Sequence, residues 1–468
     1  LYVSCPFFMG MAHERLYGIF FNNSSQTTFN FGAANDRFSF FRAERGPLDY
    51  FFFSGPTASS ILENYTALTG RCSLPPLWSL GFQQCRYSYF PESEVKRIAQ
   101  TFREKELPCD VIYLDIHYMD ECKVFTWDGK KFPDPASMIE YLEKLGFKVV
   151  VILDPGIKVE EGYEAYEQGV ERDIFVKYPD GVRFRGEAWP GWCHFPDFTS
   201  KKAREWWSRK VEEMTEFGVA GFWNDMNEPA MWGHHTPNLL PMNMNGVGGS
   251  MKEGRNVYGM QMSRATLEGA ERGLNGRRTF NLTRAGFSGT QRYSAIWTGD
   301  NYANDEHLLL GARMINSMGL SGFAFTGNDI GGFAGNASGQ LYVRWMAQAV
   351  FQPLMRAHTM VNSISSEPWS FGEENLAIVR SHLKLRYALL PHIYSLFRES
   401  TKNGMPPVRS MIFDYADEWK IFTEPFENQF LLGKDLLVCP MASQEIISKV
   451  YLPKRTWYHF FSDRIYEG

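Results

Sequence analysis

Lys148-Val149-Val150-Val151-Ile152-Leu153-Asp154 is the stretch that decides the fold. Its unbroken aliphatic run shows no polar alternation. That is the pattern of a strand buried on both faces, as in parallel sheets covered by helices. An acid ends the run. Working outward, the same unit recurs: Val111-Ile112-Tyr113-Leu114-Asp115 upstream, Val219-Ala220-Gly221-Phe222-Trp223-Asn224-Asp225 downstream. Leu80 to Gln83, Thr279 to Arg284, Ala295 to Asp300 and Ser321 to Thr326 are further runs of this kind. Amphipathic stretches lie between them, at Ser93 to Gln100, Met138 to Leu145 and Ala203 to Phe217. About eight such strands over roughly 330 residues fit an α/β (β/α)8 TIM barrel with insertions better than an open doubly wound sheet. Asp115, Asp154, Asp225, Arg284, Asp300 and Asp329 each lie at or just after the end of a run. On a barrel those ends converge on one face, where active sites sit.

The flanks read differently. Residues 1–74 are strand-like, with Leu1 to Phe8, Arg15 to Asn23, Gln26 to Phe31 and Leu48 to Ser54 as runs and no strong helical period, and they predict the tail of an N-terminal β-sandwich. The barrel is expected over 75–402, with insertions near 158–199 and 230–262 and a long closing helix from Glu374 to Ser400. In the second insertion Met242, Met244 and Met251 read as lid filler. Residues 403–468 return to strands, at Ile421-Phe422, Phe430 to Leu432, Leu436 to Val438 and Val450 to Leu452, and predict the start of a C-terminal β-sandwich. Both flanks read as parts of larger domains, so the chain is expected to begin inside a longer one.

Composition narrows the function classes. The 468 residues are 44% hydrophobic and 22% charged, and 48 Lys and Arg against 53 Asp and Glu leave a net charge of −5. A chain without a basic excess is not a nucleic-acid binder on electrostatic grounds. No run reaches ~18 apolar residues, so no membrane span is predicted. The seven cysteines are scattered, with no Cys-x-x-Cys pair, which fits neither a disulfide framework nor a zinc ribbon. His234-His235 reads as a solvated loop rather than a metal site. Gly331 to Gly335 lacks dinucleotide-fold and P-loop spacing, and Ala285 to Gly289 is no nucleophile elbow. Asn64-Tyr65-Thr66 and Asn22-Asn23-Ser24 are formal glycosylation sequons. Neither compartment nor oligomeric state is legible: a soluble cytoplasmic, periplasmic or secreted protein and a homo-oligomer are all compatible with the sequence.

The chemistry concentrates in Gly221-Phe222-Trp223-Asn224-Asp225-Met226-Asn227-Glu228-Pro229. An acid at a strand end between Trp and Asn puts a carboxylate in an aromatic-walled pocket. The nine residues together resemble the signature of glycoside hydrolase family 31, the α-glucosidase family. Trp297-Thr298-Gly299-Asp300-Asn301, Thr283-Arg284-Ala285-Gly286-Phe287, Gly327-Asn328-Asp329-Ile330-Gly331-Gly332-Phe333, Phe351 to His358 and Asp115-Ile116-His117-Tyr118-Met119 resemble further family segments, in family order. Asn328 stands where Ala is more usual, and Tyr87 where Trp is common.

The resemblance implies an exo-acting, retaining α-glucosidase with an oligosaccharide or α-glucoside as substrate and no metal or organic cofactor. Retaining glycosidases need an ionised nucleophile and a protonated acid, which the resemblance assigns to Asp225 and Asp300. It implies sugar-binding roles for Asp115, Arg284, Asp329 and His358, with Ile152, Trp189, Met226, Trp297, Phe333 and Tyr87 as the apolar wall. Glu228 reads as a carboxylate that orients its neighbours. A transglucosidase of the same family and a non-catalytic carbohydrate-binding relative are the alternatives. Linkage preference stays open among α-1,4, α-1,3 and α-1,6.

Overall fold

The structure, a computed structural model, describes residues 2–13, 15–233 and 236–468. At its centre parallel strands run in chain order as β1 (Phe82–Gln84), β2 (Val111–Leu114), β3 (Lys148–Leu153), β4 (Gly221–Asn224), β5 (Phe280–Thr283) and β6 (Ala295–Trp297). β7 is split into Thr326–Gly327 and Asp329–Ile330, and β8 is Met355–Ala357. Neighbours pair in parallel, and β8 pairs with β1 through Met355↔Phe82, so the sheet closes into an eight-stranded barrel. The break in β7 falls at Asn328. Its first half bonds β6 and its second bonds β8. The Asn328 side chain turns outward, accepting a hydrogen bond from Trp345 Nε1 at 2.6 Å and touching Gly311. This departure from the family pattern is therefore read by the helix layer.

β2, β3 and β4 are buried along almost their whole lengths, as the aliphatic runs predict. Inside the barrel the Arg356 guanidinium lies over the rings of Tyr113, Trp223 and Trp297, 5.3, 4.9 and 5.0 Å from their centroids. These four residues come from β8, β2, β4 and β6, so alternate strands fill one layer of the interior, the packing rule of this barrel. The layer is the floor beneath the carboxyl-end face.

Helices Glu92–Glu104, Pro135–Lys144, Lys201–Thr215, Met251–Gly273, Asp305–Leu320, Gly339–Ala349 and Glu373–Asn403 form the outer ring. Between β5 and β6 the only described helical segment is the single turn Thr290–Arg292. That corner is braced by a preceding helix, Ala58–Thr69: Gln291 Nε2 donates to Thr69 Oγ1 and the Gly70 carbonyl at 3.2 and 2.9 Å. At the opposite end, Arg386 of the last helix is fully buried and donates to the carbonyls of Leu80, Val350, Gln352 and Pro353.

Several local expectations need correction. Ala58–Thr69 is a helix, not strand or loop. Ala58, Ile61, Leu62, Tyr65 and Thr69 share its buried face, and Tyr65 stacks on Phe7 at 3.9 Å. Thr57 and Ser60 close a capping box, a weaker sequence signal than one with Glu at that position. The Leu1 to Phe8 run is broken into Val3–Ser4 and Phe7–Ala12, with Leu1 outside the described residues. The second insertion ends at Ser250, whose capping box with Glu253 starts the helix Met251–Gly273. Met242 and Met251 are buried in the core beneath this insertion. Ile421-Phe422 lies in a one-turn helix, Trp419–Phe422. Val450 to Leu452 forms no strand. Tyr451 exchanges backbone hydrogen bonds of 2.7 and 2.9 Å with the side-chain amide of Gln429, which takes the place of a ladder partner. Val408–Ser410, Phe430–Leu432 and Leu436–Val438 do form an antiparallel sheet.

Candidate active site

The strand ends set the site. Asp225 follows β4, and its backbone N–H bonds the Leu153 carbonyl at the end of β3 at 3.1 Å. Arg284 follows β5 with its N–H on the Asn224 carbonyl at 3.1 Å. Asp300 lies three residues past β6. Arg284 Nη1 sits 3.2 Å from Asp225 Oδ1 and 3.8 Å from Asp300 Oδ2. One guanidinium nitrogen thus faces both carboxylates and bounds the separation of those two oxygens at about 7 Å. The other side of Arg284 is held by Glu228: Nε donates to Oε1 at 2.9 Å and Nη2 to Oε2 at 3.0 Å. A bidentate fork of this kind fixes the plane of the guanidinium. Met226 Sδ accepts from Nη2 at 3.1 Å, and Met226 adopts φ 51°, a left-handed backbone that turns the chain sharply after Asp225. Asn227 ties the turn to β5, donating to Thr283 Oγ1 at 2.9 Å and accepting from the Ala285 N–H at 3.0 Å.

Deeper down the groups are drier. Arg356 Nη2 and Nε bond Asp329 Oδ1 at 2.6 and 3.1 Å, with both side chains fully buried. Asp329 Oδ2 has no partner among the described residues. Asp115 Oδ1 accepts from the Ile116 N–H at 2.6 Å, leaving Oδ2 3.9 Å from His358 Nε2. Phe333 lies against His358 with ring centroids 5.0 Å apart. One carboxylate oxygen anchored and one unpaired is an arrangement suited to a polar ligand that brings hydroxyl groups.

Burial raises the four aspartates, Asp115, Asp329, Asp225 and Asp300. Asp115 is pushed up to about 8, with the Ile116 N–H opposing and the Asp225 charge adding. Asp329 is pushed up to about 7 by burial against the pull of Arg356. Asp225 rises to about 6 by burial, restrained by Arg284 and raised further by Asp300 and Glu228. Asp300 is also raised by burial, restrained by Arg284 and then Arg356, while Glu228 adds to the rise. Burial holds His358 well below its ordinary range, so the imidazole is neutral at pH 7. Burial pulls the Arg284 guanidinium down, but the Asp225 and Glu228 charges outweigh it and keep it protonated.

The apolar wall is uneven. Trp189 sits in a tight turn between strands Gly186–Ala188 and Gly191–His194 of the first insertion and is 37% exposed. Its ring lies 5.7 Å from Tyr87 and, edge-on, 4.7 Å from Trp232. Tyr87 stacks on His117, which stacks on Phe90. Trp297 and Met226 are buried beside the carboxylates. Ile152 is buried in β3, where its carbonyl accepts from Tyr118 Oη at 2.9 Å.

Sequence reasoning passed over several residues that the fold brings in. Trp223 stands two residues before Asp225 and Arg356 two before His358, a spacing that puts each pair on one side of its strand. Asp154, placed on this face by the sequence but given no role there, ends β3, buried and raised well above its ordinary range by burial and the Asp225 and Asp115 charges. Trp232 and His117 join the rim only through loop geometry. Cys85, Asp115 and His358 are buried with one donor atom each within 4.8 Å of one another. Two of the three are groups the resemblance gives to the sugar. His234 and His235 lie outside the described residues.

Two carboxylates facing one clamped arginine, above a floor of buried acids, stand at the carboxyl-end face of a (β/α)8 barrel, where enzymes of this fold build their active sites. Residues 72–396 match the glycosyl hydrolases family 31 TIM-barrel domain and residues 404–468 the glycosyl hydrolase family 31 C-terminal domain. The chain belongs to glycosyl hydrolase family 31. It is 45% identical over its whole length to α-glucosidase 2 of Bacillus thermoamyloliquefaciens and spans 60% of that relative. It is 38% identical to a family 31 α-glucosidase from Bacteroides thetaiotaomicron, with a TM-score of 0.85 over 96% of this chain and 74% of that one. A family 31 dextranase from Flavobacterium johnsoniae complexed with glucose is 34% identical, with a TM-score of 0.92 over 100% of this chain and 58% of that one. No described helix is long and apolar enough to cross a membrane.

Proposed function

We propose that this chain carries the catalytic centre of an exo-acting, retaining α-glucosidase that releases glucose from the non-reducing end of an α-glucoside. The observation that carries the reading is the shared arginine: Asp225 and Asp300 both face Arg284 Nη1, from the ends of β4 and β6. In the first step Asp225 attacks the anomeric carbon while Asp300 gives its proton to the departing glycosidic oxygen. In the second, Asp300 takes a proton from water, whose oxygen displaces Asp225 and returns the anomeric configuration. Arg284 keeps Asp225 ionised. Asp300 stands at the mouth with its side chain 41% exposed, and partial desolvation there still raises its carboxyl toward the protonated acid that the first step needs. Asp115, Asp329 and neutral His358 supply hydroxyl contacts on the floor. Trp189, Tyr87, Met226, Trp297, Ile152 and Phe333 supply the apolar wall, and Glu228 positions Arg284. The family relatives named α-glucosidase support the substrate class. We read the chain as three parts: an N-terminal β-sandwich tail to residue 74, the barrel over 75–402 and the start of a C-terminal β-sandwich from 403.

The test is hydrolysis of a chromogenic α-glucoside, with the first-formed anomer followed by NMR. α-Glucose must appear first. β-Glucose as the first product would refute the double displacement. Products longer than the substrate at high maltose would show transfer to sugar in place of water.

A further inference from the structure

We infer that Cys85, Asp115 and His358 form a binding site for a zinc-class divalent cation, and that the bound ion shuts the sugar pocket from its floor. The inference rests on the reading of Asp115 and His358 as hydroxyl contacts. Three adjacent strands supply the site. β8 pairs with β1 and β1 with β2, and each donor is the first residue past its strand: His358 after β8, Cys85 after β1, Asp115 after β2. Neighbouring strands lie about 4.8 Å apart, so equivalent positions past their ends can meet. The Cys85 N–H on the Ala357 carbonyl at 2.8 Å extends the pairing by one residue and holds Cys85 beside His358. Cys85 Sγ, one oxygen of Asp115 and one nitrogen of His358 all lie within 4.8 Å of one another, and the three residues are buried.

The donors keep free lone pairs. Asp115 Oδ1 is anchored on the Ile116 N–H at 2.6 Å, but Oδ2 stands 3.9 Å from His358 Nε2, beyond hydrogen-bond reach. His358 Nδ1 is buried with no partner among the described residues. Burial and the Arg356 charge keep the imidazole neutral, the form that binds metal. Cys85 takes no part in the double displacement. One sulfur, one nitrogen and one carboxylate oxygen suit zinc, not calcium or magnesium, which take oxygen cages. Tetrahedral bonds of about 2.0–2.3 Å set donors about 3.3–3.6 Å apart, so side-chain rotations that draw the three together by about 1 Å close the site. The charges of Asp225 and Asp300 bear on Asp115 against that of Arg356, so a cation enters a field with negative excess. As the metal–sulfur bond forms, the Cys85 thiol gives its proton to water, and no electron moves. Three protein ligands leave the fourth position to water. The ion takes Asp115 and His358 away from the sugar, so it acts as an inhibitor and not as a cofactor.

The test uses the full chain, washed with chelator, with Zn2+ read by inhibition and Co2+ by spectrum. Zn2+ should raise the apparent KM for a chromogenic α-glucoside with kcat kept, and chelator should restore the parent value. Co2+ should give a thiolate-to-metal charge-transfer band. The chain has six other free thiols, so the band is read as the difference between the parent and Cys85→Ala. Cys85→Ala should keep kcat/KM in metal-free buffer, lose the band and raise the Zn2+ inhibition constant at least about 10- to 100-fold, the loss that even a supporting partner of a ligand causes. If the alanine variant does not fold, Cys85→Ser, which also lacks the thiolate, decides. Equal Zn2+ inhibition of parent and variant, or no Cys85-dependent band, overturns the inference and leaves the sugar reading of the floor untouched. Glucose should displace Co2+ from the parent and abolish the band. A Cys85-dependent band that glucose leaves unchanged would keep the metal site and remove Asp115 and His358 from the sugar floor.

Discussion

Two arginines stand on the same barrel face and do opposite things. Arg356 is buried in the floor, bonded through two nitrogens to one oxygen of Asp329 and enclosed by Tyr113, Trp223 and Trp297. Arg284 sits at the mouth. It is forked on Glu228, faces Asp225 at 3.2 Å and is within 3.8 Å of Asp300. A floor pair that cannot move is part of the packing, and its removal is felt as instability. A mouth arginine shared among three carboxylates favours the ionised forms of Asp225 and Asp300, and its removal is felt in the reaction. The difference shows how one barrel end separates holding a pocket together from poising it.

The largest effect should come at the mouth. Asp225→Ala should lower kcat about 10⁴-fold or more, while Glu228→Gln, which keeps one side of the fork, should cost about 10- to 10²-fold. Steady-state rates on one α-glucoside compare them directly. A larger loss for Glu228→Gln would reverse the assignment of nucleophile and orienting carboxylate.

The arginines themselves should cross over. Arg356→Met leaves Asp329 buried without its partner and should cost about 3–5 kcal/mol of stability, measured by denaturant unfolding. Arg284→Met should cost less stability and more rate. It should also move the acid limb of kcat/KM upward. Arg284 holds Asp225 down to about 6, so without it the nucleophile needs a higher pH to ionise. Equal stability losses for the two variants, with no shift of the limb, would erase the distinction between floor and mouth.

The rim should matter least to the chemical step. Trp189→Ala removes an exposed ring whose contacts are Tyr87 and Trp232. KM should rise about 3- to 10-fold with kcat nearly kept. A fall in kcat of the same size would place Trp189 against the reacting sugar and not at the rim.

What was legible in the sequence follows the same division. The strand runs are continuous because the barrel buries both faces, so β2, β3 and β4 could be read with their terminal acids. The helix Ala58–Thr69 carried a full helical period in Ala58, Ile61, Leu62, Tyr65 and Thr69, but a short Ser- and Thr-rich segment between strands conceals it. Gln429 standing in for a strand partner of Tyr451 leaves no pattern at all. In the site, residues at strand ends announce themselves. Trp223 and Arg356 sit inside runs where an inward-facing polar or aromatic residue looks like core. Trp232 reaches the site through loop placement that no local spacing encodes.

The smallest effect tests whether the floor acids are strained for the ligand's sake. Asp115 is pushed from 3.8 to about 8 by burial, and Asp329 to about 7. For a carboxyl raised in the folded state, the unfolded chain binds fewer protons between the two values. Stability therefore falls as pH rises through that window, and the loss is complete above about 8. Asp115→Asn removes one titration and keeps the shape. The empty variant should match the parent near pH 4, where both side chains are neutral in the folded protein, and should melt about 1–3 °C above it at pH 9. The slope should be reduced rather than abolished, because Asp329 and Asp154 still titrate. The same variant should bind substrate worse, since the amide NH2 can only donate where the free carboxyl oxygen, Oδ2, can also accept from a sugar hydroxyl. Melting curves of the empty protein across pH 4 to 9, beside kcat/KM at pH 6, measure both halves. A variant less stable than the parent at pH 9 would mean that Asp115 is held as a structural carboxylate, and the floor would then resemble Arg356 throughout. A gain in alkaline stability with a loss of kcat/KM would mean that the pocket carries its buried acids at a cost to the empty fold.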